Sequence, residues 1–357
     1  MKKALIAMSG GVDSSVAALL TKEAGYSCIG CTMKLYELPA ETACERSCCS
    51  LCDTEDARSV AYRLGMPYYV FNFKDEFYRE VIEKFIRSYE NGMTPNPCID
   101  CNRFLKFGKL FDRADILDCD KVVTGHYARI ERQNDVYYLK KAADSTKDQS
   151  YVLYAMTQQQ LSRTLFPLGS LCKTEVRELA AAHGFETAGK AESQDICFVP
   201  DGDYAGTIEA YTGKRYPSGP FLSVDGRPMG THKGIIRYTV GQRKGLGISS
   251  PEPLYVCRIC PENNTVYLGG SEALFARRVR VQHMNWIAGT APTTPFRCHV
   301  KLRYRQNEQA ATVEPLDEET ISILFDEPQR APTPGQAAVL YQEDIVLGGG
   351  EIFEAVN

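Results

Sequence analysis

"KALIAMSGGVDSSVAALLTKEAG", residues 3–25, decides the fold. Ala4–Met8 is an apolar run without alternation, the pattern of a strand buried on both faces. Val12, Val16, Leu19 and Leu20 then recur at helical spacing, and Gly25 is placed to end the helix. Small and hydroxylated residues fill the turn between them. Such a turn lets backbone N–H groups converge on an anion, and the following helix N-terminus adds partial positive charge. A Walker loop would read GxxxxGK[ST]; this one has no lysine. The stretch reads as a phosphate cradle built from backbone and hydroxyls, against the plainer reading of an ordinary strand-to-helix turn.

Outward from it, Cys28–Leu35, Tyr68–Phe73 and Lys121–Thr124 read as further strands. Asp53-Thr54-Glu55-Asp56 reads as the cap of a helix through Leu64-Gly65, and Glu76–Tyr89 as another helix. Strands alternating with helices predict an α/β fold with a doubly wound parallel sheet. Ligands of such sheets bind at the carboxyl ends of the strands, where residues 9–15 and 124–129 lie. Helical patterns continue at Gln158–Leu161 and Thr174–His183. Beyond about residue 205 Gly and Pro become frequent, and beyond about 279 the runs are short and β-rich, as in "RCHVKLRY" and "DIVLGGGEIF". Three domains are expected: a catalytic domain over 1–205, a small central domain over 206–278 and a C-terminal β-barrel over 279–357.

The chain of 357 residues has a net charge of −4, so bulk electrostatics do not announce a nucleic-acid partner. A local basic stretch, Arg277, Arg278, Arg280, Arg297, Lys301, Arg303 and Arg305, leaves a basic face open. Only five apolar residues separate Lys3 from Ser9, so a secretory segment is not expected, nor a membrane span, and the location expected is cytoplasmic. In that setting the fourteen cysteines read as catalytic, metal-binding or buried thiols.

"TPNPCIDCNRFLKFG", residues 94–108, places Cys98-x-x-Cys101 after two prolines that favour an extended lead-in, with Arg103 and Lys106 nearby. Cations raise the thiolate fraction of a neighbouring thiol. Cys197 lies far off in "ESQDICFV". Sulfur transfer needs two thiols: one carries a persulfide, the other cleaves the resulting linkage and leaves a transient disulfide. The competing reading is buried structural cysteine.

SGGVDSS by itself resembles the pyrophosphate loop of the N-type ATP pyrophosphatases, which attack the α-phosphate of ATP. With NPCIDCN, RFLKFG, TGHYAR, KDQSYVLY, ESQDICF and YTVGQRKGLG in order over residues 9–247, the chain resembles the bacterial tRNA-specific 2-thiouridylase family. That resemblance implies an adenine nucleotide alpha hydrolase-like catalytic domain. It implies a tRNA-uridine 2-sulfurtransferase that adenylates the wobble uridine of tRNAs for Lys, Glu and Gln and thiolates C2, releasing AMP and pyrophosphate. It places ATP on Ala7, Met8, Ser9, Gly10, Gly11, Val12, Asp13, Ser14, Met33 and Gly125. Cys101 becomes the nucleophile and Cys197 the persulfide carrier. Asn96, Pro97 and Cys98 border the target base, and His126, Lys147, Asp148, Gln149, Arg303, Tyr304 and Gln336 contact tRNA. The implied partners are the tRNA anticodon stem-loop and a sulfur donor, either a cysteine desulfurase or a relay protein; Mg²⁺ accompanies ATP. Ser15 joins Ser9 and Ser14 as a hydroxyl for pyrophosphate, and Asp13 either orients the loop or helps hold Mg²⁺.

Some family members carry Asp where this chain has Cys98. A neutral thiol is a poorer proton acceptor, so a base is sought in Asp100, Asp195 or water; alternatively Cys98 is a third functional thiol. Cys44, Cys48, Cys49 and Cys52 include one pair at metal-ligand spacing, which by itself argues weakly for zinc, and no resident metal is expected. Cys28 and Cys31, three apart in a strand, fall on opposite faces. The alternatives are another adenylating synthetase of the argininosuccinate or amidating kind, an iron–sulfur or zinc protein using Cys98, Cys101 and Cys197, thiolation through a cluster at those thiols, or a tRNA-binding module without catalysis.

Overall fold

The structure, a computed structural model, describes residues 1–36, 51–190, 196–199 and 202–356. The thiols at 44, 48 and 49 and the base candidate Asp195 lie outside the described residues.

The opening stretch folds as its pattern requires. Lys3–Ala7 is the strand β1 and Val12–Glu23 the helix α1; Gly25, at φ +85°, takes the left-handed turn after it. Strands β2 (Ser27–Lys34), β3 (Tyr68–Asn72), β4 (Lys121–Val123) and the short Thr164–Leu165 complete a five-stranded parallel sheet. The order is β3-β2-β1-β4, then 164–165, so the chain reverses direction across the sheet between β1 and β4.

Both faces of this sheet are covered, and β1 alternates between them. Ala4 and Ile6 pack with Val16 of α1, Val60 of α2 (Leu51–Arg63) and Val176 of the helix Lys173–Ala182. Leu5 packs on the other side with Phe77, Phe85 and Leu105 from the helices spanning 74–90 and 97–116. Cys28 and Cys31 likewise enter different cores, as their spacing predicts. Burial pushes both thiols up, Cys28 against an opposing lysine and Cys31 strongly.

Two expectations are corrected. Asp53 does not cap its helix, which already runs from Leu51; its carboxylate instead meets Lys190. The lead-in to the thiols is extended at Asn96 as expected, but its prolines do not keep helix away. Pro97 occupies the first helical position, where the missing N–H is no loss, and Asn96 caps the helix by accepting the Cys98 N–H at 3.2 Å. Cys101 then begins a π-helical stretch, Cys101–Lys109.

Gly219–Ser223, Pro228–His232, Tyr255–Cys260 and Thr265–Gly269 form a small central sheet. The C-terminal strands close into an antiparallel barrel, sealed by pairing of Phe275–Trp286 with both Ile321–Arg330 and Ile345–Val356. The hairpin of Arg129–Gln133 and Val136–Lys140, part of the first domain in sequence, adds to this barrel through Lys140 and Ile345. Three arginines of the basic stretch are neutralised within the barrel: Arg278 pairs with Glu314, Arg280 with Glu354 and Arg297 with Asp326. No described helix is long and apolar enough to cross a membrane.

Candidate active site

The carboxyl ends of β1 and β4 open into a cavity of about 340 Å³. Ala7, Met8, Ser9, Asp13 and Ser14 supply one wall, Thr32 and Met33 from β2 a second, and Thr124, Gly125 and His126 a third. Gly11 precedes α1 with no side chain capping the first turn, so its backbone donors remain for an anion. The loop is held in shape by its own serine: Ser14 Oγ accepts the Ser9 N–H at 3.1 Å and donates to Gly11 O at 3.0 Å. Ser15 is withdrawn from the expected set. It is fully buried, donates to Gly11 O and accepts from Thr187.

Two glycines are required by close approach. Gly10 has φ +73°, and a Cβ there would stand 2.2 Å from Asp53 O. At Gly125 a Cβ would stand 2.8 Å from the Asp13 carbonyl carbon and the Ser14 nitrogen. The loop after β4 therefore lies directly on the start of α1.

Asp13 orients the loop. Lys173 Nζ donates to both its oxygens, at 2.7 and 2.8 Å, and Tyr127 OH donates to Oδ1 at 2.7 Å. Lys190 makes the matching tie on the other side, to Gly10 O at 3.2 Å, to Asp56 at 2.7 Å and to Asp53. Neither lysine sits in a motif with a sequence signal; tertiary folding alone brings them to the loop. Lys173→Met leaves Asp13 without its cation and is expected to lower stability by about 1–2 kcal/mol. Urea unfolding read beside ATP affinity checks it, and affinity is expected to fall more than tenfold.

Cys98, Cys101 and Cys197 line this same cavity with Pro97 and Lys106. Cys98 and Cys101 sit one turn apart at the start of the thiol helix. Cys197 is placed by its neighbours: Tyr36 OH donates to the Cys197 carbonyl at 2.6 Å, and Phe198 inserts edge-on against Phe77 and Phe85. Among the described residues, no three His, Cys, Asp or Glu side chains stand close enough to share a metal ion. Asp100 does not line the cavity that holds the thiols. It pairs with Lys84 at 2.8 Å and lines a separate small cavity with Arg103, His283 and Glu351. Burial raises its carboxyl against the pull of Lys84.

His126 forms the floor, packed between Phe107 and Phe166. Lys106, which can only donate, faces Nε2 at 3.5 Å, so the ring proton lies on Nδ1, 2.7 Å from Thr124 Oγ1. Burial, then Lys106, holds the imidazole well below its ordinary value. An unfolded chain protonates this histidine below about pH 6.5 while the folded one does not. Stability is therefore expected to fall with decreasing pH, by about 1.4 kcal/mol for each unit below that point until the folded value is reached. The difference in urea stability between wild type and His126→Asn, taken at pH 7 and pH 5.5, isolates this contribution.

The cavity widens into a trough of about 850 Å³, sharing Ser9, Asp13, Cys98, Lys106, His126 and Gln149 with it. Lys147, Asp148, Lys173 and Lys190 line its near side; Lys301, Tyr304 and Arg305 of the barrel line its far side. Asp148 caps its own turn through Ala142 N and Ser150, and Gln149 Oε1 accepts the Tyr127 N–H at 2.9 Å. Arg303 and Gln336 act at domain junctions. Arg303 donates to Ala331 O, Thr333 and Val240 O, and Gln336 donates to Thr94 O at 2.7 Å, just ahead of the thiol helix.

Family models match the whole architecture. Residues 2–201 match a tRNA methyl transferase HUP domain, 205–270 a tRNA methyl transferase PRC-barrel domain and 276–352 an aminomethyltransferase beta-barrel domain. A tRNA-specific 2-thiouridylase MnmA of Symbiobacterium thermophilum is 48% identical over 100% of this chain and 93% of its own length. Proteins of the same name from Clostridioides difficile and Moorella thermoacetica are 47% and 49% identical, each over 98% of both chains. With this identity running through all three domains, the chain belongs to the tRNA-specific 2-thiouridylase family.

Proposed function

We propose that this protein is a tRNA-uridine 2-sulfurtransferase acting on the wobble uridine of the anticodon stem-loop in tRNAs for Lys, Glu and Gln. One observation carries the reading: the anion-binding loop and the thiols Cys101 and Cys197 line a single cavity that opens into a lysine-rimmed trough. ATP lies with its phosphates on the loop from Ala7 to Ser14 and its base side toward Met33 and Gly125. Mg²⁺ arrives with the nucleotide, since Asp13 is spent on Lys173 and Tyr127.

The RNA is positioned by Lys147, Lys301 and Arg305, with Tyr304 as a stacking face, and the uridine is turned out toward Asn96, Pro97 and Cys98. Uridine O2 attacks the α-phosphate and pyrophosphate leaves, its charge met by the α1 N-terminus. The terminal sulfur of a Cys197 persulfide attacks C2 and expels AMP. The Cys101 thiolate then attacks Cys197 Sγ, leaving sulfur on C2 and a Cys101–Cys197 disulfide. A cysteine desulfurase or a relay protein loads Cys197.

Incubating enzyme with ATP, Mg²⁺ and unmodified tRNA(Glu), without a sulfur donor, is expected to release pyrophosphate only when tRNA is present. Tightly enzyme-associated adenylated tRNA accompanies it. Pyrophosphate release that ignores tRNA, or none at all, contradicts the adenylation step.

A further inference from the structure

Uridine and α-phosphate have to meet where the cavity gives way to the trough. Two side chains common to both carry charge, Asp13 and Lys106. Asp13 is spent on Lys173. Lys106 is not spent. Among the described residues no carboxylate stands within ion-pair distance of it, whereas Lys190, on the same trough, is held by Asp53 and Asp56.

The partner Lys106 does have is neutral. Nε2 of His126 accepts from it at 3.5 Å, and the ring proton faces Thr124 on the other side. Such a partner steers one of the three ammonium hydrogens without cancelling the charge.

The backbone brings a lysine to this seam by an unusual route. The loop after β1 has none; Lys106 comes from the π-helical stretch, five residues after Cys101. In an α-helix five residues end about 140° past a full turn, so the two side chains would face apart. The i→i+5 bonding of a π-helix instead sets them one above the other, and both line the cavity.

We propose that Lys106 is a catalytic residue of the adenylation step, its ammonium meeting the α-phosphoryl oxygens as uridine O2 attacks. This rests on the reading of the site given above. The α1 N-terminus takes the charge of the departing pyrophosphate, and Lys106 takes the charge on the phosphoryl group that stays. It faces the same oxygens when the C2–O2 bond breaks and AMP leaves. Lys106 forms no covalent bond and keeps its proton throughout.

The test is single-turnover pyrophosphate release by full-length enzyme with saturating ATP, Mg²⁺ and unmodified tRNA(Glu), without a sulfur donor, so that no thiol chemistry enters. Lys106→Met is expected to lower the rate constant ~10²–10³-fold, the scale of losing one preorganised donor to developing charge. Equilibrium ATP affinity is expected to change less than about tenfold, because the contact strengthens in the transition state. Lys106→Gln keeps an N–H for His126 without the charge and is expected to fail as Lys106→Met does. Lys106→Arg is expected to recover at least ~10-fold over Lys106→Met. Release at the wild-type rate by Lys106→Met or Lys106→Gln overturns the proposal; a shifted pH profile of Cys101 alkylation in those variants would then assign the lysine to the thiol. Recovery by Lys106→Gln and not by Lys106→Arg also overturns it, since packing on His126 and not charge would be what counts. If wild type releases no pyrophosphate on addition of tRNA, the adenylation reading fails, and this role with it.

Discussion

Cys101→Ser is expected to reduce 2-thiouridine formation at least ~10³-fold while leaving tRNA-dependent pyrophosphate release measurable. The hydroxyl keeps the volume of the thiol at a site that is 9% exposed, so the fold has no reason to change. What is lost is a group able to cleave a sulfur–sulfur bond. The same variant is expected to accumulate tRNA joined to Cys197 through a disulfide to C2, released by an added thiol. Cys197→Ser separates the roles: no linked tRNA forms, because the sulfur is never loaded, yet adenylation persists. Full thiolation by Cys101→Ser with a protein sulfur donor contradicts its assignment.

Gly125→Ala is the second large effect. The added methyl would lie 2.8 Å from backbone atoms of Asp13 and Ser14, which no side-chain rotation relieves. Either the loop after β4 lifts or α1 shifts at its first turn, and both widen the phosphate site. Overpacking of this kind costs about 1–3 kcal/mol. Displacing the cradle by ångströms is expected to lower kcat/KM for ATP by ~10²-fold. Steady-state kinetics with thermal unfolding of the same preparation checks both numbers. Kinetics like those of wild type would mean that the loop after β4 does not abut the nucleotide.

Much of the catalytic domain was legible because its signals are local. The unbroken apolar run at Ala4–Met8, the helical spacing from Val12 and the glycine at 25 all describe β1 and α1 without outside help. The three thiols and the loop were legible as chemistry, and the fold brings them to one cavity. The thiol helix was missed because two prolines outweighed the cap: Asn96 followed by Pro97 is also how a helix begins. The hairpin at 129–140 carried a readable sign in Asn134-Asp135, both at positive φ, flanked by "VYYLK". Lys173 and Lys190 had none. A lysine tied to a loop more than a hundred residues away is set by tertiary packing alone. The basic stretch divides for a related reason: Arg278, Arg280 and Arg297 meet carboxylates on neighbouring strands that sequence distance conceals, while Lys301 and Arg305 line the trough.

The central claim is that one cavity activates a tRNA uridine with ATP and delivers sulfur to it from a cysteine. Anaerobic incubation of the purified protein with ATP, Mg²⁺, a cysteine desulfurase with cysteine, and unmodified tRNA(Glu), followed by nucleoside mass spectrometry, tests it most directly. The account predicts 2-thiouridine from wild type and none from Cys101→Ala. Absence of 2-thiouridine together with absence of ATP-dependent pyrophosphate release would contradict it.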